Sequence, residues 1–81
     1  MGIRIKLFAV LKEIAGRSET ILEAPKEISC EEVLFQLRNE IPNLASILES
    51  CLVAVNGRYA DKNVYVSAED EVAILPPVSG G

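Results

Sequence analysis

The chain has 81 residues, 49% of them hydrophobic and 25% charged, and a net charge of −4. That length holds one domain near the small end of what folds alone, burying roughly 60% of its unfolded surface, and the composition argues against disorder. The eight basic residues form no cluster, which speaks against a nucleic-acid partner, and no apolar run approaches the ~20 residues of a membrane helix.

Ile3, Ile5 and Leu7 alternate with Arg4, Lys6 and Phe8. That period of two predicts a first strand with one apolar face. Residues 9–15 read as a short helix with Val10, Leu11 and Ile14 at helical spacing, closed by Gly16. Residues 19–23 predict a second strand ended by Pro25, so a hairpin of the first two strands carries the short helix in its connection.

Ser29 opens the clearest helix, and Glu32 three residues on completes an S-x-x-E capping box. Val33, Leu34, Leu37 and Ile41 form its apolar stripe, Pro42 stops it, and residues 43–48 add a short helical turn. Residues 51–55 carry no charge and suit a central strand buried on both faces. Asn56-Gly57 predicts a tight hairpin to a returning strand at residues 58–60, because both turn residues tolerate φ > 0. Residues 61–71 are polar and loop-like apart from Val64-Tyr65-Val66, and Val72-Ala73-Ile74-Leu75 is the last strand. One main helix packed on a mixed sheet is an α+β architecture, and the β-grasp fold shared by ubiquitin fits this order. Residues 1–81 form the one domain, with residues 76–81 as an extended tail.

The candidate chemistry is sparse. There is no histidine, so histidine-based catalysis is excluded, and two thiols without a CxxC leave structural zinc short of ligands. No secretory signal precedes the first strand, so a reducing cytoplasmic setting is expected. The mild acidity favours a basic partner surface. No phosphate-cradling glycine loop is present, so the chain is not expected to bind ATP itself.

The tail is the first candidate. Pro76 and Pro77 cannot donate to a sheet ladder and launch the chain in an extended direction. Val78, Ser79, Gly80 and Gly81 then reach at most ~14 Å, at ~3.5 Å each. Without a Cβ, Gly80 and Gly81 fit a narrow channel in a partner, and the only reactive group is the carboxylate of Gly81. A carboxylate becomes electrophilic once converted to an acyl-adenylate. The glycine pair alone fits a frayed terminus of small residues better than a working one.

Cys30, in the first turn of the capped helix, is a candidate persulfide carrier because a helix dipole lowers a thiol pKa, though Glu31 and Glu32 oppose a thiolate there. The plainer reading is an incidental small residue, and Cys51 reads as core. Glu69-Asp70-Glu71 is read as a solvated turn before a metal site. Phe8 and Leu75 point by alternation to the face opposite the core, where they form either a docking patch beside the tail or a satellite core under the short helix.

Leu7-Phe8-Ala9 with Lys12-Glu13 and Gly16, then Ala54-Val55-Asn56-Gly57, then Asp70-Glu71-Val72-Ala73 leading into Pro76-Pro77-Val78-Ser79-Gly80-Gly81 carry a resemblance. In order and length the whole chain resembles the small, sulfur-carrier subunits of molybdopterin synthase. The resemblance implies a β-grasp fold and a tail that works. An E1-like adenylating enzyme activates Gly81 with ATP, and a sulfur donor enzyme converts the acyl-adenylate to a thiocarboxylate. The tail then enters the large subunit of molybdopterin synthase, where sulfur passes to cyclic pyranopterin monophosphate; two transfers build the dithiolene that later holds molybdenum. The family's complex is a heterotetramer around a large-subunit dimer.

The chain is thus implied to be a sulfurtransferase subunit with no active site or bound cofactor of its own, ATP being used by the activating partner. Phe8 and Leu75 match the family's docking positions. One departure stands out: Glu69 replaces the glycine that commonly precedes Asp-Glu-Val, which implies a different turn there, since φ > 0 at glutamate costs ~1 kcal/mol. Other readings are a carrier for thiamine synthesis, a ubiquitin-like modifier joined to lysines, and an interaction module with an idle tail.

Overall fold

The computed structural model describes residues 1–77. Ile3, Ile5 and Leu7 of β1 (Gly2–Leu7) are buried, as their alternation requires. β1 pairs antiparallel with β2 (Glu19–Glu23), with Ile3 opposite Leu22 and Ile5 opposite Thr20. The connection holds α1 (Val10–Ala15), closed by Gly16 at φ 74°, whose N–H donates to the Lys12 carbonyl. α1 starts one residue later than expected. It buries Leu11 alone, whereas Val10 and Ile14 are exposed, because six residues make too few turns to lay a full stripe on the core.

α2 (Cys30–Glu40) crosses the sheet and buries Cys30, Val33, Leu34 and Leu37. Burial of each such leucine or valine is worth roughly 1.5–3 kcal/mol against exposure. The helix ends before Pro42, where residues Pro42–Leu44 form a 3-10 turn that leads into α3 (Ala45–Leu48). Its start is only half the expected box. The Ser29 hydroxyl accepts from the Glu32 N–H at 3.1 Å, but the Glu32 carboxylate accepts from the Gln36 amide one turn on. Ser29 itself lies in a two-residue strand, β3 (Ile28–Ser29).

β4 (Leu52–Val55) and β5 (Arg58–Ala60) form the hairpin that Asn56-Gly57 predicts, with φ of 52° and 84° at the two turn residues. β6 (Tyr65–Val66) pairs with β3 in a second, two-stranded sheet, which accounts for the apolar interruption in the polar stretch. β7 (Val72–Leu75) completes the main sheet, whose strand order is β2-β1-β7-β4-β5. β7 runs parallel to β1 and antiparallel to β4.

The expected burial of β4 on both faces is not what the structure shows. Val53 is buried, but Leu52 is 42% exposed, because helices cover one side of the sheet only. The central place belongs to β7, whose Val72 and Ile74 are fully buried in the core formed with β1 and α2.

Candidate functional site

The tail begins where the central strand ends. β7 is held on both sides, with Ile74 opposite Leu7 of β1 and Leu75 opposite Leu52 of β4. Pro76 is half-buried and Pro77 exposed. Val78, Ser79, Gly80 and Gly81 lie outside the described residues. The stiff departure point expected from Pro76-Pro77 therefore sits on a strand hydrogen-bonded along both edges, whose displacement would break two ladders at once.

The uncovered sheet face surrounds that point. Phe8 follows buried Leu7 and is 44% exposed, so it is not a satellite core under α1. Leu75 follows buried Ile74 and is half-buried. Register adds residues that alternation alone misses. Ala73 lies beside Lys6 on one side and Ala54 on the other, and Ala54 lies opposite Tyr59, which is 71% exposed. Leu52, Leu75, Ala73, Ala54 and Tyr59 thus share the face opposite the helices. The signal for Tyr59 was present: a two-residue turn at Asn56-Gly57 fixes which residue opposes Ala54. A groove of about 360 Å³ lies beside Phe8, lined also by Lys6, Ala9, Lys12, Ser18 and Glu19.

At its far end, β7 is tied to the β4–β5 turn. The Asn56 backbone N–H donates to the Glu71 carbonyl at 2.8 Å, and its side-chain oxygen accepts from the Glu71 N–H at 2.8 Å. The Asn56 amide donates to Asp70 at 3.0 Å, and Asp70 also accepts from the Ser67 N–H at 2.8 Å. The Asn56 hydrogen bond, followed by that from Ser67, holds the Asp70 carboxyl below its ordinary value. Glu71 accepts from the Lys6 ammonium at 2.6 Å, and that hydrogen bond and charge lower its pKa too. Asp70 and Glu71 thus brace strands, so the acidic run, expected to be a solvated turn, is a turn held by its own side-chain hydrogen bonds.

The turn before β7 keeps Glu69 out of the φ > 0 region, as a glutamate favours. Asp70 N–H donates to the Ser67 carbonyl at 3.1 Å, placing Ala68 and Glu69 at the turn's centre, and Glu69 is not among the residues with φ > 0.

Burial disfavours the thiolate at both cysteines. Cys30 is fully buried, and its burial pushes the thiol pKa up. The helix-terminal N–H groups that would favour a thiolate are spent elsewhere: Cys30 N–H donates to the Val64 carbonyl at 2.8 Å and Glu31 N–H to Lys62 at 2.9 Å. Cys51 precedes β4 instead of lying in it; it is half-buried, donates to the Ile47 carbonyl at 3.2 Å, and is likewise raised by burial.

Comparison with known proteins agrees with this geometry. The sequence model of the ThiS family matches residues 5–81. A molybdopterin synthase sulfur carrier subunit from Dictyostelium discoideum is 37% identical over 81 residues, covering 96% of this chain and 94% of that one. Among solved structures, SAMP1 from Haloferax volcanii, a small archaeal modifier protein, superposes with a TM-score of 0.85 at 29% identity, over 100% of both chains. A complex of subunits 1 and 2 of molybdopterin-converting factor from Helicobacter pylori holds a chain of the same fold, with a TM-score of 0.69 at 23% identity over 100% of both chains.

Proposed function

The chain belongs to the ThiS family, and from that premise we propose that it is the sulfur-carrier subunit of a molybdopterin synthase, with Gly81 as the residue that carries sulfur. The observation that carries the proposal is the coincidence of a full-length match to such subunits with a Pro76-Pro77 launch from the central strand.

The chemistry follows from the carboxylate. Attack of the Gly81 carboxylate on the α-phosphorus of ATP forms an acyl-adenylate and releases pyrophosphate. Sulfide-level sulfur from a donor attacks the acyl carbon, expels AMP and leaves a thiocarboxylate. That soft, weakly basic nucleophile resists hydrolysis better than the adenylate, so it survives transfer between enzymes. In the large subunit, its sulfur adds to cyclic pyranopterin monophosphate to give a thioester, and water then cleaves the bond between acyl carbon and sulfur, leaving sulfur on the pterin and returning the Gly81 carboxylate. This chain's part is to bind, to aim the tail and to carry the atom. With no histidine and burial disfavouring both thiolates, general acids and bases come from the partner.

Three partners follow: an E1-like adenylating enzyme, a sulfur donor enzyme and the large subunit, all acting in the cytoplasm. Among the described residues no helix is long and apolar enough to cross a membrane. Phe8 and Leu75, with Leu52 and Tyr59 beside them, form the apolar docking face. The test is intact-mass spectrometry after incubation with the activating enzyme, ATP and a sulfur source. The expected product is heavier by the difference between sulfur and oxygen, and an unchanged mass would sink the proposal.

The likeness to SAMP1 favours one second reading, in which a lysine of another protein attacks the same adenylate and forms an isopeptide. It predicts conjugates on denaturing gels that disappear when Gly81 is deleted.

A further inference from the structure

β2 is an edge of the five-stranded sheet, paired with β1 on one side and with no described element on the other. The register shows which of its backbone groups are free. In an antiparallel ladder, opposite residues alternate between pairs that exchange both hydrogen bonds and pairs that exchange none. Just past the end of β2, Met1 and Ala24 exchange both: the Ala24 N–H donates to the Met1 carbonyl at 2.9 Å, and the Met1 ammonium donates to the Ala24 carbonyl at 2.8 Å. By the same alternation Leu22 and Thr20 turn their N–H and C=O groups to Ile3 and Ile5. Glu19, Ile21 and Glu23 therefore turn theirs to the open edge. The same three side chains are exposed while Thr20 and Leu22 are buried, so they lie on the face opposite the helices. Among the described residues Glu19 has no ion-pair partner, and Glu23 has only the Met1 ammonium at 3.9 Å.

We propose that the β2 edge is a strand-addition site for an extended segment of a protein partner that carries basic residues on either side of an apolar one. The free N–H and C=O groups of Glu19, Ile21 and Glu23 supply the ladder. Across it, Glu19 and Glu23 face the basic side chains and Ile21 faces the apolar one; opposite charges in such positions attract and like charges repel. The acidic–apolar–acidic order reads the same from both ends, so the segment fits in either direction. A second copy of this chain is the wrong occupant. Antiparallel pairing centred on Ile21 sets each Glu19 against Glu23 of the other copy, which places like charges opposite each other on both sides of the centre. Glu19 also lines the groove beside Phe8, so an added strand extends the uncovered face on that side. The site uses neither β7 nor the tail, and it stands independently of the sulfur-carrier reading.

The full chain, isotope-labelled for amide spectra, is titrated with two capped peptides, one with the core Lys-Thr-Val-Thr-Lys and one with the core Glu-Thr-Val-Thr-Glu. The basic peptide should shift the amide signals of Glu19, Ile21 and Glu23 and slow their hydrogen exchange, with an affinity that falls as salt rises, and the acidic peptide should not. Glu19→Lys combined with Glu23→Lys keeps the fold, since both side chains are exposed, and reverses the preference, weakening the basic peptide by about tenfold. No binding of the basic peptide, equal responses to the two peptides, or shifts centred on Phe8 and Leu75 instead of β2 overturns the proposal. So does concentration-dependent sedimentation of the parental chain with the same three amides protected, which seats a second copy on this edge. Sulfur loading at Gly81 is read separately by mass, so failure here and failure of the carrier reading are distinguishable.

Discussion

Asp70 and Asn56 show how single side chains set the acid tolerance of this fold. Asp70 accepts from the Asn56 amide and the Ser67 N–H, so the folded chain holds its proton less tightly than the unfolded chain does. A carboxyl depressed below its unfolded pKa of about 3.9 stabilises the fold fully above that value, and the contribution is lost as pH falls through the folded pKa. Glu71, lowered by Lys6, acts with the same sign. The urea midpoint should therefore hold steady from neutral pH and fall below about pH 4. Asp70→Asn should show a shallower fall, read from melts across that range; identical slopes would remove Asp70 from the acid response. The two non-glycine residues with positive φ among the described residues differ in legibility. Asn56 could be read because Asn-Gly is a turn signal in itself. Ala9 could not, since alanine signals helix, and its turn is imposed by the distant demand that Leu7 and Leu11 share one core.

At the scale of elements, α2 carries the core and its capping can be separated from its packing. Ser29→Ala removes the hydroxyl that accepts from the Glu32 N–H and should cost about 1 kcal/mol. Leu37→Ala leaves a void under the sheet and should cost about 2–5 kcal/mol. Denaturant unfolding distinguishes the two, and equal losses would contradict the division. The elements legible in the sequence were those with strong local signals: the alternation of Ile3, Ile5 and Leu7, the serine cap and leucine stripe of α2, and the Asn56-Gly57 hairpin. The β3–β6 pair was not legible, because two-residue strands have no period to read and exist only through the contact between them. The burial of β4 was misjudged because an uncharged run looks the same whether both faces are covered or one face awaits a partner.

For the whole molecule, core and tail should be separable. The buried residues of the described chain end at Ile74, so deleting Gly81 should shift Tm by no more than about 3 °C while abolishing sulfur loading by mass spectrometry. A large loss of Tm would contradict that separation. Phe8→Asp and Leu75→Asp place charge on the uncovered face and should weaken the large-subunit complex with the fold retained by circular dichroism; unchanged calorimetric binding removes them from the interface. Pro76-Pro77 and the glycine pair mark the tail as a candidate from sequence alone, and its last four residues lie outside the described ones, whereas the breadth of the face beside Pro76 needed the register of β4, β5 and β7. The placement of β7 has a consequence for how the chain is made. Among the described residues the last strand in chain order is the one that joins β1 to β4, so the two halves of the sheet share no partner until β7 leaves the ribosome. A chain stopped before β7 keeps the edges of β1 and β4 exposed, and such fragments are open to proteases and to edge-to-edge association.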